Sequence, residues 1–163
     1  MNAVVAVYSD WGIGDGATQP IVLKADRARF KALTGESCVI VGRKTLEDFP
    51  GGKPLKGRTN IVVTGKNIEI ENAIVAHSTE EALRASEQYP DVFVIGGASV
   101  YSQFFPYTDR VYITRIYTCP DSNRFFPDLD SDPSWACTDE GPLLEENGIS
   151  YRFCTYERRA PTC

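Results

Sequence analysis

Apolar residues follow two spacings along this chain, and the two alternate for its first two thirds. Short, β-branched runs at Val4–Ser9, Ser37–Gly42, Thr59–Gly65, Ala73–Ser78 and Asp91–Gly97 predict five strands. Between them, helical spacing predicts helices over Ala25–Gly35, Arg43–Phe49, Ser78–Tyr89 and Ala98–Phe105. Gly35 closes the first helix, Pro50-Gly51-Gly52 ends the second and Pro106 stops the last. Ser78 or Thr79 ahead of Glu81 reads as a capping box for the third. Beyond Asp109 the spacing changes. Asp109–Thr118 and Ser150–Arg159 alternate as long strands, and Trp135–Gly141 reads as a shorter one. Strand–helix alternation predicts a mostly parallel sheet with helices on both faces, and the tail adds antiparallel strands at one edge. The expected fold is one α/β domain over residues 1–163 with a mixed sheet.

Composition narrows the function. The 163 residues suit one domain with a real core. A formal net charge of -5 argues against a nucleic-acid partner. It leaves room for an anionic small ligand held by a local basic cluster. No stretch is long enough to span a bilayer, and the first residues do not read as a secretory signal. Cys38, Cys119, Cys137, Cys154 and Cys163 are odd in number and scattered, and His77 is the lone histidine. That pattern predicts free thiols in a reducing cytosol, with no Cys/His metal site.

Three glycine-rich stretches invite a phosphate. Gly12–Ala17 ("GIGDGA") matches a dinucleotide fingerprint after a strand, yet helical spacing resumes only at Ala25. A mobile loop beside the site fits it better. Gly52–Thr59 ("GKPLKGRT") approaches a nucleoside-triphosphate loop but has Arg58 at the lysine position, contains Pro54, and runs into a strand. "VIGGASVY" has the right context: a strand, then Gly96 and Gly97, then a helix start whose free N–H groups suit an anion. A tight turn serving geometry alone accounts for that pair equally well. At the other junction, "VGRKTLED", Arg43 and Lys44 sit at a helix N-terminus, where cations are unfavourable unless an anion binds. Two such junctions suit one ligand with several phosphates. An arginine there, with no acidic partner for a ribose, favours NADP over NAD.

In "KADRARFKAL", Asp26 shares a face with Phe30 and Leu33, while Arg27, Arg29 and Lys31 are expected to look outward. A carboxylate on an apolar stripe is costly unless paired, and beside a cofactor it suits proton chemistry or a grip on a ring N–H and an amino group. A first-turn aspartate facing its own helix terminus is the plain alternative. Thr114, on "VYITRIYT", joins such a site only if it faces the same pocket; otherwise it is an ordinary strand threonine.

Together "VAVYSDWGIGDG", "DRARFK", "VIVGRKT", "KGRTNIVVT", "VIGGASVY", "VYITRI" and "FFPD" resemble dihydrofolate reductase over essentially the whole chain. The resemblance implies NADPH-dependent reduction of dihydrofolate to tetrahydrofolate, by hydride transfer to pterin C6 and protonation at N5. It implies that Asp26 and Thr114 hold the pterin, that Phe30 stacks on its rings, and that Ala6, Phe49 and Leu55 line the pocket. Arg58 matches the arginine that clamps the substrate's α-carboxylate. For the cofactor it implies Ala6, Ile13, Gly14 and Gln19 about the nicotinamide and Gly42, Arg43, Lys44 and Thr45 about the phosphates. Val63, Thr64 and His77 fall toward the adenosine end, with Ile95, Gly96, Gly97, Ala98, Ser99, Val100 and Tyr101 along the glycine pair. The family joins that pair by a cis peptide. A cytoplasmic monomer open to antifolates such as trimethoprim or methotrexate is expected.

The chain departs from the family where a tryptophan usually follows the loop proline; here the run is Pro20-Ile21-Val22-Leu23. Leu46 stands for a frequent aromatic, Gln19 for an apolar loop residue, and Gly65 and Ser99 for common cofactor contacts. A riboflavin-pathway reductase of the same fold, or a non-catalytic NADP- or folate-binding module, are the competing readings.

Overall fold

Alternation along the central strands builds both layers of the core. The computed structural model describes residues 1–14 and 20–160. Its strands are β1 (Asn2–Val7), β2 (Cys38–Gly42), β3 (Thr59–Val63), β4 (Ile74–Ala76), β5 (Val92–Gly96), β6 (Arg110–Ile116), β7 (Trp135–Glu140), β8 (Leu144–Glu146) and β9 (Ile149–Arg158). Its helices are α1 (Lys24–Thr34), α2 (Arg43–Glu47), α3 (Thr79–Ser86) and α4 (Ala98–Phe104), with 3-10 turns at Pro50–Gly52 and Phe105–Tyr107. On β2, Cys38 and Ile40 pack with Ala82 of α3 and with Val100 and Phe104 of α4. Val39 and Val41 point the other way, into a cluster with Leu46 of α2 and Phe30 and Leu33 of α1. Strands covered on both faces read as unbroken apolar runs, which is why β2 and β5 carry no polar side chain.

The strands form one nine-stranded sheet, ordered β4-β3-β2-β5-β1-β6-β9-β7, with β8 beside β9. Pairs from β4 across to β6 are parallel. The pairs of β9 with β6, β7 and β8 are antiparallel. The expected mixed sheet is therefore present. The tail's first strand differs from expectation: β6 lies parallel to β1, because α4 provides its crossover, and antiparallel pairing starts only with β9. Strand β8 was not foreseen. Its three residues, Leu144-Glu145-Glu146, have no alternation to read, and it exists because β9 offers an edge.

The capping box is also modified. Ser78 Oγ accepts from the Glu81 N–H at 3.1 Å, as expected, but the Glu81 carboxylate reaches past the cap to the His77 N–H at 2.7 Å. Both bonds tie α3 to the end of β4. Cys38, Cys119, Cys137 and Cys154 are free thiols. Among the described residues no group of His, Cys, Asp or Glu is arranged to hold a metal, and no helix is long and apolar enough to cross a membrane.

Open α/β sheets gather ligands at the carboxyl ends of their parallel strands. Here Ala6, Gly42, Gly96 and Thr114 stand at or near those ends, so one rim of the sheet collects the residues singled out from sequence. The layered core predicts a definite cost for a hole in it. Ile40→Ala, at a fully buried β2 position, lowers stability by about 2–5 kcal/mol. It shows in urea as a lower midpoint with an unchanged slope.

Candidate active site

Helix α1 is weakly apolar and is held down by one narrow stripe. Phe30 and Leu33 join the cluster of Val39, Val41, Phe93 and Ile95. Asp26 lies a turn before Phe30, on the same stripe, at the wall of a cleft. Its partner comes from the sheet. Thr114, 2% exposed on β6, donates its hydroxyl to Asp26 Oδ1 at 2.5 Å. Burial pushes the Asp26 carboxyl above the usual carboxylate range. The Thr114 hydroxyl and the guanidinium groups of Arg29 and Arg27 pull against that rise, and the Glu146 carboxylate adds to it.

Arg29 corrects the expectation that it faces outward. Its Nη1 donates to the Ile113 carbonyl at 3.1 Å, and the guanidinium lies 4.6 Å from the Phe153 ring centre. The helix stripe is wider than an i, i+4 count shows, because the arginine stem reaches under α1 to the strand behind it. Arg27 is exposed at its head and still borders the cleft, as sequence spacing did not anticipate.

The cleft has a volume of about 290 Å³. Of the residues singled out from sequence, Ala6, Ile13, Asp26, Phe30, Thr45, Phe49, Ile95, Gly96, Gly97, Ala98 and Tyr101 line it, together with Val4, Val5 and Arg27. Its wall is mostly apolar, with one carboxylate. A flat, largely apolar ring with a polar edge fits such a place. Leu55 and Arg58, expected here too, stand outside the lining. The loop that carries them is fixed by Asn60, 1% exposed. Asn60 Oδ1 accepts from the Leu55 N–H, and its Nδ2 donates to the carbonyls of Leu55 and Arg58. Arg58 Nε in turn donates to Thr34 Oγ1 at 3.0 Å, which sets the guanidinium beside the far end of α1, 6.0 Å from the Phe30 ring centre. Arg58 is thus a residue of the outer rim, beyond Phe30. Asn60 escaped the sequence reading because a strand asparagine carries no spacing signal.

A second cleft of about 510 Å³ opens beside the first. Thr45, Gly97 and Ala98 belong to both, so the two form one trough. The expected Gly42, Arg43, Lys44, Val63, Thr64, His77, Ser99 and Val100 line the second part. So do Gly65, Ser78, Gln103 and Arg124. Among the described residues no Asp or Glu lines it, although the protein is acidic overall. Arg43 Nη1 pairs with Glu47 at 2.6 Å, which steadies its stem on α2. The His77 Nδ1–H donates to the Thr64 carbonyl at 3.1 Å, closing the end of the trough. Arg124 sits in the loop after β6, which no periodicity marks. Phe126, two residues on, packs edge-on against Tyr101 of α4 and brings the arginine to the trough.

Two glycines shape the wall between the clefts. A Cβ on Gly42 would meet Val100 Cγ2 at 3.1 Å, so β2 ends tightly against α4. Gly96 has φ 123°, and the Gly96–Gly97 peptide is cis, the geometry the resemblance implied. Helices α2 and α4 run only five and seven residues, so their dipoles are short. The cations and the close backbone matter more for an anion here than the helix termini do. These features fit a dinucleotide phosphate: three cations, no carboxylate among the described lining residues and a backbone left bare by glycine.

Of the Gly12–Ala17 stretch expected to form a mobile loop, residues 15–17 lie outside the described residues, and the part up to Gly14 is clasped. Gly14 N–H donates to Ser122 Oγ, the N–H groups of Asn123 and Arg124 donate to the Gly14 carbonyl, and the Ile13 N–H donates to the Arg124 carbonyl. Gln19 lies outside the described residues.

Comparison with known proteins agrees with this arrangement. A family model described as dihydrofolate reductase matches residues 1–158. A dihydrofolate reductase of Bacillus subtilis is 37% identical over 162 residues, covering 98% of this chain and 95% of its own. One from Staphylococcus haemolyticus is 32% identical over 161 residues, covering 97% and 95%. Among solved structures, dihydrofolate reductase from Enterococcus faecalis, complexed with NADP(H) and RAB-propyl, superposes with a TM-score of 0.86 at 31% identity, covering 98% of this chain and 96% of that one. Sequence and backbone match along nearly their full lengths, and the chain belongs to the dihydrofolate reductase family.

Proposed function

We propose that the protein reduces 7,8-dihydrofolate to 5,6,7,8-tetrahydrofolate with NADPH, residues 1–163 working as one reductase domain. The observation that carries this reading is the Asp26–Thr114 pair, set in an apolar cleft that runs directly into a cationic trough lined, among the described residues, by no carboxylate. Bound NADPH supplies the hydride that the substrate receives at pterin C6. Asp26 accepts N–H bonds from the pterin's N3 and 2-amino group, and Thr114 fixes the carboxylate for that grip. Phe30 covers the ring face, while Ala6 and Phe49 exclude water around it and Leu55 borders the outer rim with Arg58. Arg58, at the rim beyond Phe30, takes the α-carboxylate of the substrate's glutamate. No side chain is placed as a nucleophile. The proton for N5 comes through water, with Asp26 favouring the ring form that accepts it.

The trough residues divide the cofactor among them. Arg43, Lys44 and Thr45 take phosphate oxygens, Thr64 and His77 border the adenosine end, and Ile13 and Gly14 flank the nicotinamide. Gly96, Gly97 and Ala98 allow backbone contact. Arg124 supplies a cation on the side where Ser99 offers only a hydroxyl. We place the enzyme in the cytosol as a monomer that binds antifolates in the Asp26 cleft; its free thiols agree with a reducing compartment. Asp26, Phe30 and Arg58 have no task in a riboflavin-pathway reductase, which favours the folate reading.

Purified protein is expected to consume NADPH only when dihydrofolate is added, followed by loss of reduced-nicotinamide absorbance. Asp26→Asn cuts that turnover about a hundredfold or more and leaves NADPH affinity close to wild type. The same variant reports on stability. The folded-state value of Asp26 is raised, so the native protein binds this proton more tightly than the unfolded chain, and stability falls as pH climbs from 3.8 through the raised value. Asp26→Asn therefore melts at higher temperature than wild type at pH 8, and the gap closes toward pH 3. Arg58→Gln raises KM for dihydrofolate about 10- to 100-fold with little change in kcat, the loss of one charge-assisted contact. Arg124→Gln weakens NADPH binding about tenfold and flattens its dependence on salt, read by titration of the intrinsic fluorescence.

A further inference from the structure

The start of α1 has no cap of its own. Leu23 occupies the N-cap position and no local side chain accepts from the first turn. A helix start needs acceptors for its free N–H groups. Here they come from the far end of the chain. Glu146 Oε2 accepts the Lys24 N–H at 2.7 Å and Oε1 accepts the Ala25 N–H at 3.1 Å. The carboxylate is carried there by a tight hairpin: Glu146 pairs with Ile149, and Asn147 and Gly148 between them have φ 52° and φ 78°. Positive φ at both central residues is the signature of a two-residue turn that matches strand twist, so the hairpin tip is a defined support.

The next residue after this capped pair is Asp26. A helix N-terminus normally stabilises a carboxylate in its first turn. At α1 two carboxylates compete for that terminus, and Glu146 holds the first two N–H groups. The groups acting on Asp26 come from four elements. Arg27 and Arg29 of α1 favour its charge, Thr114 of β6 donates to it, and Tyr101 of α4 is a neighbour whose hydroxyl is bound to the Val4 carbonyl of β1. Glu146 of β8 is the one anion in that set. Guanidinium groups stay charged at all working pH values, threonine does not titrate, and burial pushes the Tyr101 phenol far up, so it stays neutral.

We propose that Glu146 is a positioning residue for the reduction: from the β8–β9 hairpin it seats the first turn of α1 and sets the charge balance around the Asp26 carboxyl. It touches neither substrate nor cofactor; it acts through Asp26. A carboxylate that binds the helix N–H groups removes their positive field from Asp26 and adds a like charge nearby, and both effects favour the protonated form. The C-terminal hairpin thereby tunes the pH range over which Asp26 can serve proton delivery.

The inference rests on Asp26 being the group that grips the pterin, and the test separates the two ideas. The Asp26 side-chain carboxyl is titrated by carbon-13 NMR in the ligand-free wild type, Glu146→Gln and Glu146→Ala. In parallel, single-turnover hydride transfer with NADPH and dihydrofolate is measured against pH. Glu146→Gln keeps the size and one acceptor oxygen but loses the charge. It should titrate Asp26 at lower pH than wild type, move the alkaline fall of the hydride-transfer rate to lower pH by the same amount, and melt near the wild-type temperature. Glu146→Asp, with the charge restored on a shorter stem, should return the midpoint part of the way. A purely structural cap would lower the rate equally at every pH and leave the Asp26 midpoint in place, and that result in Glu146→Gln overturns the proposal. Should Glu146→Ala not fold, the glutamine and aspartate variants alone decide. A shifted Asp26 midpoint in a wild type that does not reduce dihydrofolate would uphold the hairpin link and reject the enzymatic reading.

Discussion

A carboxylate on an oily helix face depends on the hydroxyl that meets it. Thr114 and Asp26 are 88 residues apart, and the bond between them joins the one weakly apolar helix to the middle of the sheet. An unpaired carboxylate at that place would cost several kcal/mol or take up a proton. Paired with a neutral donor rather than a cation, it stays ionisable but is pushed toward the protonated form. Arg29 of α1 spends its guanidinium on the Ile113 carbonyl and the Phe153 face.

The second constraint is the separation of charge. In a chain with a formal net charge of -5, no Asp or Glu among the described residues lines the second cleft, while Arg43, Lys44 and Arg124 do. Field lines concentrate in a concave, low-dielectric cleft, so a few cations govern the local potential whatever the overall sign. The first cleft reverses the choice, with mostly apolar walls and one acid. The two meet at Thr45, Gly97 and Ala98, where two ligands of opposite demands come into contact. Bare backbone serves that junction: Gly96 holds φ 123°, and a Cβ there would press on the Tyr101 ring at 3.5 Å.

Loops do the fine placement. Asn60 turns the Leu55–Arg58 segment into a rigid shelf, the Gly14–Ser122 clasp fixes the entrance, and Glu146 secures α1 from below. Each is a side-chain bond to backbone amides, the usual way a protein makes irregular segments as definite as helices. The departure at Pro20-Ile21-Val22-Leu23 belongs with these. Leu23 is 2% exposed and packs with Tyr8 and Ile116, so the segment answers to the core under α1.

The sequence by itself determined the strand–helix alternation, the parallel core, the glycine pair and the face that carries Asp26, because these follow from local spacing and backbone limits that each segment holds within itself. It also marked Arg43 and Lys44, whose misfit with a helix start is local. Only the tertiary structure decided the rest. Whether Thr114 met Asp26, whether Arg29 turned inward, where Arg124 and Asn60 fell, that β8 existed and that Glu146 capped α1 all depend on contacts between segments distant in the chain. A side chain's partner across a fold is set by how layers stack and loops close, and no period along one strand or helix records it.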